Sequence, residues 1–168
     1  MEKGLIMRNQ PSLKLKTKNI MFKKLFNKLF NSQPENAISF KQGFELTELP
    51  ICTLYQNGNL WNFLLDTGSN DSIIDKNVID QIEHTQRNNK SEVFGLDGQK
   101  HVVNMCDITF SYKNQDFPFY YLIKDMSEPF GLIKQESGVN LHGIIGSKFF
   151  NKYKYILDFD ELIAYSKV

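Results

Sequence analysis

Apolar and polar residues alternate in short runs along most of this chain, and the period of that alternation changes near residue 36. Between Met21 and Phe30 the apolar residues Phe22, Leu25, Phe26, Leu29 and Phe30 recur at i, i+3, i+4, i+7 and i+8, with Lys23, Lys24 and Lys28 on the other side. That spacing predicts a basic amphipathic helix over 21–30. The residues before it are polar and basic without a period and read as an extension, within which Met7, like Met21, is a further candidate start. Asn31-Ser32-Gln33-Pro34-Glu35-Asn36 is a polar, proline-bearing linker. The expected division is therefore an N-terminal extension, residues 1–36, followed by a domain, residues 37–168.

From Ile38 the period shortens to two. Ile51–Tyr55 and Leu60–Leu65 flank Gln56-Asn57-Gly58-Asn59, and Asn-Gly between alternating apolar runs predicts a hairpin. Glu92–Phe94 and Lys100–Val103 flank a second turn, Gly95-Leu96-Asp97-Gly98. Ile108, Phe110 and Tyr112 alternate, as do Phe117, Phe119, Tyr121 and Ile123, with Pro118 pointing that strand to a sheet edge. Tyr155–Phe159 and Leu162–Tyr165 read as a closing hairpin. Lys76–Glu83 suits a short helix, and Ser147–Tyr153 suits another, capped by Ser147. The expected fold class is mainly β with one or two short helices.

At 168 residues the chain has room for about one domain. No apolar run reaches the roughly 20 residues of a membrane-spanning helix. The formal net charge of +1 conceals a split. Residues 1–30 carry eight Lys/Arg against one Glu, a net of +7, whereas the remainder carries twelve basic and eighteen acidic groups, a net of −6. The basic helix therefore reads either as a weak membrane-surface anchor or as a helix packed on a protein. A net acidic domain speaks against nucleic acid as a partner. Cys52 and Cys106 sit in apolar surroundings and read as free thiols of a reducing compartment. With no secretory signal, the expected location is the cytoplasm, peripheral to the membrane if 21–30 engages it.

Chemistry-bearing residues are few. His84, His101 and His142 are isolated from one another, no His/Cys cluster has metal spacing, and neither a metal nor a cofactor is expected. Asp66-Thr67-Gly68-Ser69 differs from the rest, because it places a carboxylate directly at the end of an apolar strand and follows it with glycine. An ordinary turn would use the same residues. Alternatively, the strand fixes the carboxylate while Gly68 admits a second backbone or a substrate. Further on, Gly143-Ile144-Ile145-Gly146 puts two apolar residues between glycines just before the second predicted helix.

Taken in order, these segments resemble the retropepsin-like aspartic proteases, closest to single-lobed bacterial members, over residues of about 45–166. Leu64-Leu65-Asp66-Thr67-Gly68-Ser69 is similar to the family's catalytic motif. Gly95, Leu96, Asp97 and Gly98 fall where its flap hairpin lies, and Gly143, Ile144, Ile145 and Gly146 match its second glycine motif. The resemblance implies a closed-barrel-like lobe active as a homodimer, with Asp66 catalytic and Thr67, Gly68 and Ser69 supporting the loop. It also implies an aspartic endopeptidase without metal or cofactor, acting on peptide or protein substrates. Two carboxylates sharing one proton divide the roles of base and acid. Only one Asp-Thr-Gly is present, since Asp97-Gly98 and Asp158-Phe159-Asp160 do not reproduce it, so the second aspartate is expected from a second chain. The chain departs from the pattern at Ser147 and Lys148, where many members carry an arginine that pairs with an acid near the loop. The competing expectation is a catalytically inactive binding or dimerisation module of the same fold.

Overall fold

The computed structural model describes residues 33–94 and 100–167. The chain divides into two compact units, residues 1–35 and 36–168. The predicted helix 21–30 lies outside the described residues, and so does the expected flap tip, Gly95, Leu96, Asp97 and Gly98.

The described part of the second unit is mainly β. Strands β1 (Ile38–Ser39), β10 (Tyr155–Asp158) and β11 (Ile163–Ser166) form a three-stranded sheet in the order β1-β11-β10. A larger sheet contains β2 (Ile51–Gln56), β3 (Asn59–Leu65), β4 (Ile73–Asp75), β5 (Thr85–Gln86), β7 (Lys100–Tyr112), β8 (Gln115–Lys124) and β9 (Gly143–Ile145). It runs β2-β3-β9-β4-β8-β7-β5, with β6 (Ser91–Phe94) paired to β7. One bridge, Tyr55 opposite Ser111, joins β2 to β7, so the sheet curls back on itself. Three α-helices, α1 (Lys41–Thr47), α2 (Ser127–Ser137) and α3 (Ser147–Tyr153), lie against it, with a 3-10 turn at Ile79–Gln81.

Period-two burial explains the high aromatic content. Trp61, Phe63 and Leu65 turn one face of β3 inward, where Phe63 meets Phe110 edge-on at 4.9 Å. Phe117, Phe119 and Tyr121 of β8 fill the same core, and Phe149 of α3 packs against Phe117 and Phe119. Edge-to-face packing of this kind adds to the apolar area already removed from water. Cys52 and Cys106 are free and buried, and burial pushes both thiols up to about 12.

Several expectations are corrected. The first hairpin turns in two residues, Asn57 (φ 50°) and Gly58 (φ 84°), the primed geometry that matches strand twist. Gln56 and Asn59, expected in the turn, therefore pair with each other in the ladder. Pro118 does not mark the sheet's edge, because β8 lies between β4 and β7. The β4 ladder reaches only Leu122–Lys124, however, so the missing N–H at Pro118 faces no strand on that side. The Pro118 carbonyl accepts from Lys152 Nζ at 2.6 Å and from Tyr153 Oη at 2.7 Å, which ties α3 to the strand. Ser147 begins α3 without capping it, since the cap position is Gly146 and no side chain bonds there. Lys76–Glu83 yields only the 3-10 turn, while α1 and α2 carry too weak an apolar stripe to be read from sequence. Neither buries more than one side chain.

The seam between β2, β5 and β7 is closed by a side chain. Gln56 is 9% exposed. Its Nε2 donates to the carbonyls of Glu83 (2.9 Å) and Thr109 (3.1 Å), and its Oε1 accepts from the Glu83 N–H (2.8 Å). The carboxamide thus satisfies three backbone groups where the ladder is interrupted. Tyr121 presents the opposite case, a buried hydroxyl without a partner among the described residues. Gln56→Leu is expected to cost about 2–4 kcal/mol, whereas Tyr121→Phe is expected to be neutral or stabilising, both read by denaturant unfolding. Equal losses for the two variants would contradict the assignment.

Candidate active site

Asp66 emerges at the end of β3, where β3 and β9 run parallel with Phe63 opposite Gly143, Leu64 opposite Ile144 and Leu65 opposite Ile145. The ladder continues one step further, since the Asp66 N–H donates to the Ile145 carbonyl at 3.0 Å. The backbone position of Asp66 is therefore set by the second glycine motif. Its side chain is set by the loop itself, because the Gly68 N–H donates to Asp66 Oδ1 at 2.9 Å. The residue is half-buried. Thr67 and Gly68 are exposed, and the Thr67 hydroxyl has no hydrogen-bond partner among the described residues.

Residues 69–72 hold the other side of the loop. Ser69 Oγ donates to the Asp71 carbonyl (2.8 Å), and the Ser69 carbonyl accepts from the Ser147 N–H (2.8 Å). The Asn70 carbonyl accepts from the Lys148 N–H (3.1 Å), so the first turn of α3 spends two of its free donors on the loop. Ser72, fully buried, accepts from the Gly146 N–H through Oγ (3.1 Å). The two segments cross so closely that side chains are excluded. A Cβ on Gly146 would strike the Asp71 backbone, and one on Gly143 would strike the Ile73 carbonyl and the Phe63 ring. Glycine is required there for closeness.

The departure at Ser147 and Lys148 is made good locally. Lys148 Nζ lies 2.6 Å from Asp71 Oδ1, and Tyr120 Oη donates to the same oxygen at 2.9 Å. The Asp71 carboxylate raises the Lys148 ammonium pKa, while burial foremost raises that of Tyr120. Lysine thus supplies the cation that the sequence placed in question, one residue later than the family pattern, and Asp71 is the acid it meets. Asp75 forms no ion pair among the described residues. It is buried and accepts at Oδ1 from the Asn77 N–H, Asn77 Nδ2 and the Met126 N–H.

Sequence reasoning missed Ser72, Tyr120 and His142. Nothing in spacing marks the first two, and His142 was read as an isolated histidine. His142 Nδ1 accepts from the Asn62 N–H at 2.9 Å, its N–H donates to Asn62 O, and its carbonyl accepts from the Asp75 N–H. It ties β3 to β4 one residue before the glycine motif, with its ring edge-on to Trp61 at 5.1 Å. Among the described residues, no three His, Cys, Asp or Glu side chains are grouped to hold a metal ion, and no helix is long and apolar enough to cross a membrane.

No family model matches the chain, and neither does any curated protein. Among solved structures, the chain is similar to the retroviral protease-like domain of Ddi1 from Leishmania major. The TM-score is 0.46 and the identity 13%, over 71% of this chain and 90% of that one.

Burial lowers the His142 pKa below its usual value, with the Asn62 hydrogen bond and Asp75 opposing in part. Below about pH 6.5 the unfolded chain binds a proton at this residue that the folded chain refuses, so stability falls as pH drops until the folded imidazole also titrates. His142→Asn keeps an acceptor near Nδ1 without the titration. Chemical denaturation at about pH 7 and about pH 5 is expected to show the parent losing more stability than the variant. Equal losses would remove His142 from the account.

Proposed function

We propose that this chain is one half of an aspartic endopeptidase, completed when two copies bring their Asp66 loops together. The observation that carries the reading is the Asp66 loop: a half-buried carboxylate whose backbone is fixed by Ile145 and whose Oδ1 is oriented by the Gly68 N–H. Such a carboxylate is preorganised and still reachable. The unpartnered, exposed Thr67 hydroxyl favours a neighbouring loop beside it, as the resemblance implies.

In the dimer the two carboxylates share one proton, since like charges at contact distance do not both ionise. The ionised Asp66 accepts a proton from a bound water as that water's oxygen attacks the peptide carbonyl. The protonated Asp66 of the second copy gives its proton to the carbonyl oxygen, which leaves a neutral gem-diol. Collapse breaks the C–N bond, returns one hydroxyl proton to a carboxylate, and delivers a proton to the departing amine. The substrate lies extended, held by backbone hydrogen bonds as an added strand. On this reading the β6–β7 hairpin serves as the flap that closes over it and excludes water, as the resemblance implies.

Asp66→Asn is expected to fold and dimerise like the parent and to reduce cleavage of an unstructured protein substrate by about 10²–10⁴-fold or more. Near-ultraviolet circular dichroism, sedimentation and fragment analysis read the three properties. A variant that cleaves as fast as the parent would overturn the reading. A parent that dimerises and binds peptides without cutting them would assign the domain to binding.

A further inference from the structure

Asp66 follows the last residue of β3 and extends its ladder to Ile145, so period two puts it on the face of Leu64, about 7 Å further along the chain. The opposite face, with Trp61, Phe63 and Leu65, belongs to the main core. Leu64 instead joins a second hydrophobic cluster, together with its cross-strand neighbours Ile144 on β9 and Ile51 on β2. An apolar patch therefore begins beside Asp66 and runs back along its face of the sheet.

Helix α2 covers this patch. It lies in the long connection from β8 to β9 and contributes Phe130, 6% exposed, to the cluster, with Met126 and Ile133 of the same stripe packed around it. The arms of the β6–β7 hairpin reach the same cluster through Val93 and Val103. Leu64, Val93 and Val103 are only half-buried, so the cluster keeps open margins at β3, next to Asp66, and at the hairpin arms.

The helix is also tied to the strand that follows the Asp66 loop. Asp75 Oδ1 accepts from the Met126 N–H (3.3 Å), Asn77 Nδ2 donates to Ser127 Oγ (2.9 Å), and Lys76 Nζ pairs with Asp125 (2.7 Å). All three contacts join the residues 75–77 at the end of β4 to the start of α2. A helix anchored in this way holds a fixed distance from the loop and cannot swing as a lid.

We propose that α2 forms a wall of the peptide groove and that Phe130 limits the size of the apolar side chain accepted beside the scissile bond. The inference rests on Asp66 being catalytic. The substrate class it names is an extended peptide carrying a medium-sized aliphatic residue next to the cleaved bond. A bulky aromatic there would compete with Phe130 for one space, and truncating Phe130 would release that space.

The test compares kcat/KM for peptides that differ only in that residue, Val or Leu against Phe or Trp. Phe130→Ala, with Phe130→Leu as the milder change should the first fail to fold, is expected to shift the ratio about tenfold or more toward the aromatic peptides. Leu132→Ala, on the same helix but 59% exposed, is expected to leave the ratio unchanged. Cleavage by a folded Phe130 variant at the parental ratio would overturn the wall while leaving Asp66 in place. Failure of the parent to cleave any peptide would overturn the function and this inference with it.

Discussion

Residues 143–146 approach residues 69–73 more closely than any side chain permits, and the candidate site depends on that approach. Gly143 and Gly146 allow it, the Ser72 hydroxyl and the Ser69 and Asn70 carbonyls hold it with hydrogen bonds, and β9 is thereby placed parallel to β3. The consequence for chemistry is direct. Asp66 has no covalent reason to stay where it is beyond the end of β3, and the Ile145 carbonyl that receives its N–H is delivered by the crossing. A bulkier residue at either glycine would separate the segments and release the carboxylate from a defined position.

Around this crossing the polar groups are arranged by burial. Asp71, largely covered, takes a lysine ammonium and a tyrosine hydroxyl on one oxygen, whereas Asp75, more deeply buried, takes its hydrogen bonds at Oδ1 from amides. Each arrangement compensates a carboxylate for lost water, and each links the loop to a different element: Asp71 to β8 and α3, Asp75 to α2. The exposed pair Lys76–Asp125 adds little stability by itself, being open to solvent. Its use is positional, since it joins the residue after β4 to the residues that lead into α2.

The sequence made the β architecture legible wherever period two was undisturbed, as in β3 and β8, and the α3 range was read without error, whereas β7, read as two separate runs, is one strand from Lys100 to Tyr112. It also made Asp66 and both glycines legible, because an acid at the end of an apolar strand and a paired-glycine motif are local patterns. What escaped was non-local. Gln56 resembles a turn residue until its carboxamide is seen replacing a missing ladder rung. Pro118 resembles an edge marker until β4 proves too short to reach it. Helix α2 has Phe130 as its one buried side chain, so its amphipathic signal was too faint to separate from a loop. The resemblance left open whether Asp71 or Asp75 lacks a cation at Ser147; Lys148 reaches Asp71, because lysine's length lets it extend back across the first turn of the helix.

On the proposed reading, one loop per chain and two carboxylates per reaction make the active unit a pair. Titrating Asp66→Asn protein into a fixed total of exchanging subunits measures this directly. If each productive unit needs Asp66 from both copies, the residual rate follows the square of the parental fraction. A rate falling linearly with that fraction would show that each chain works alone, and would contradict the shared dyad.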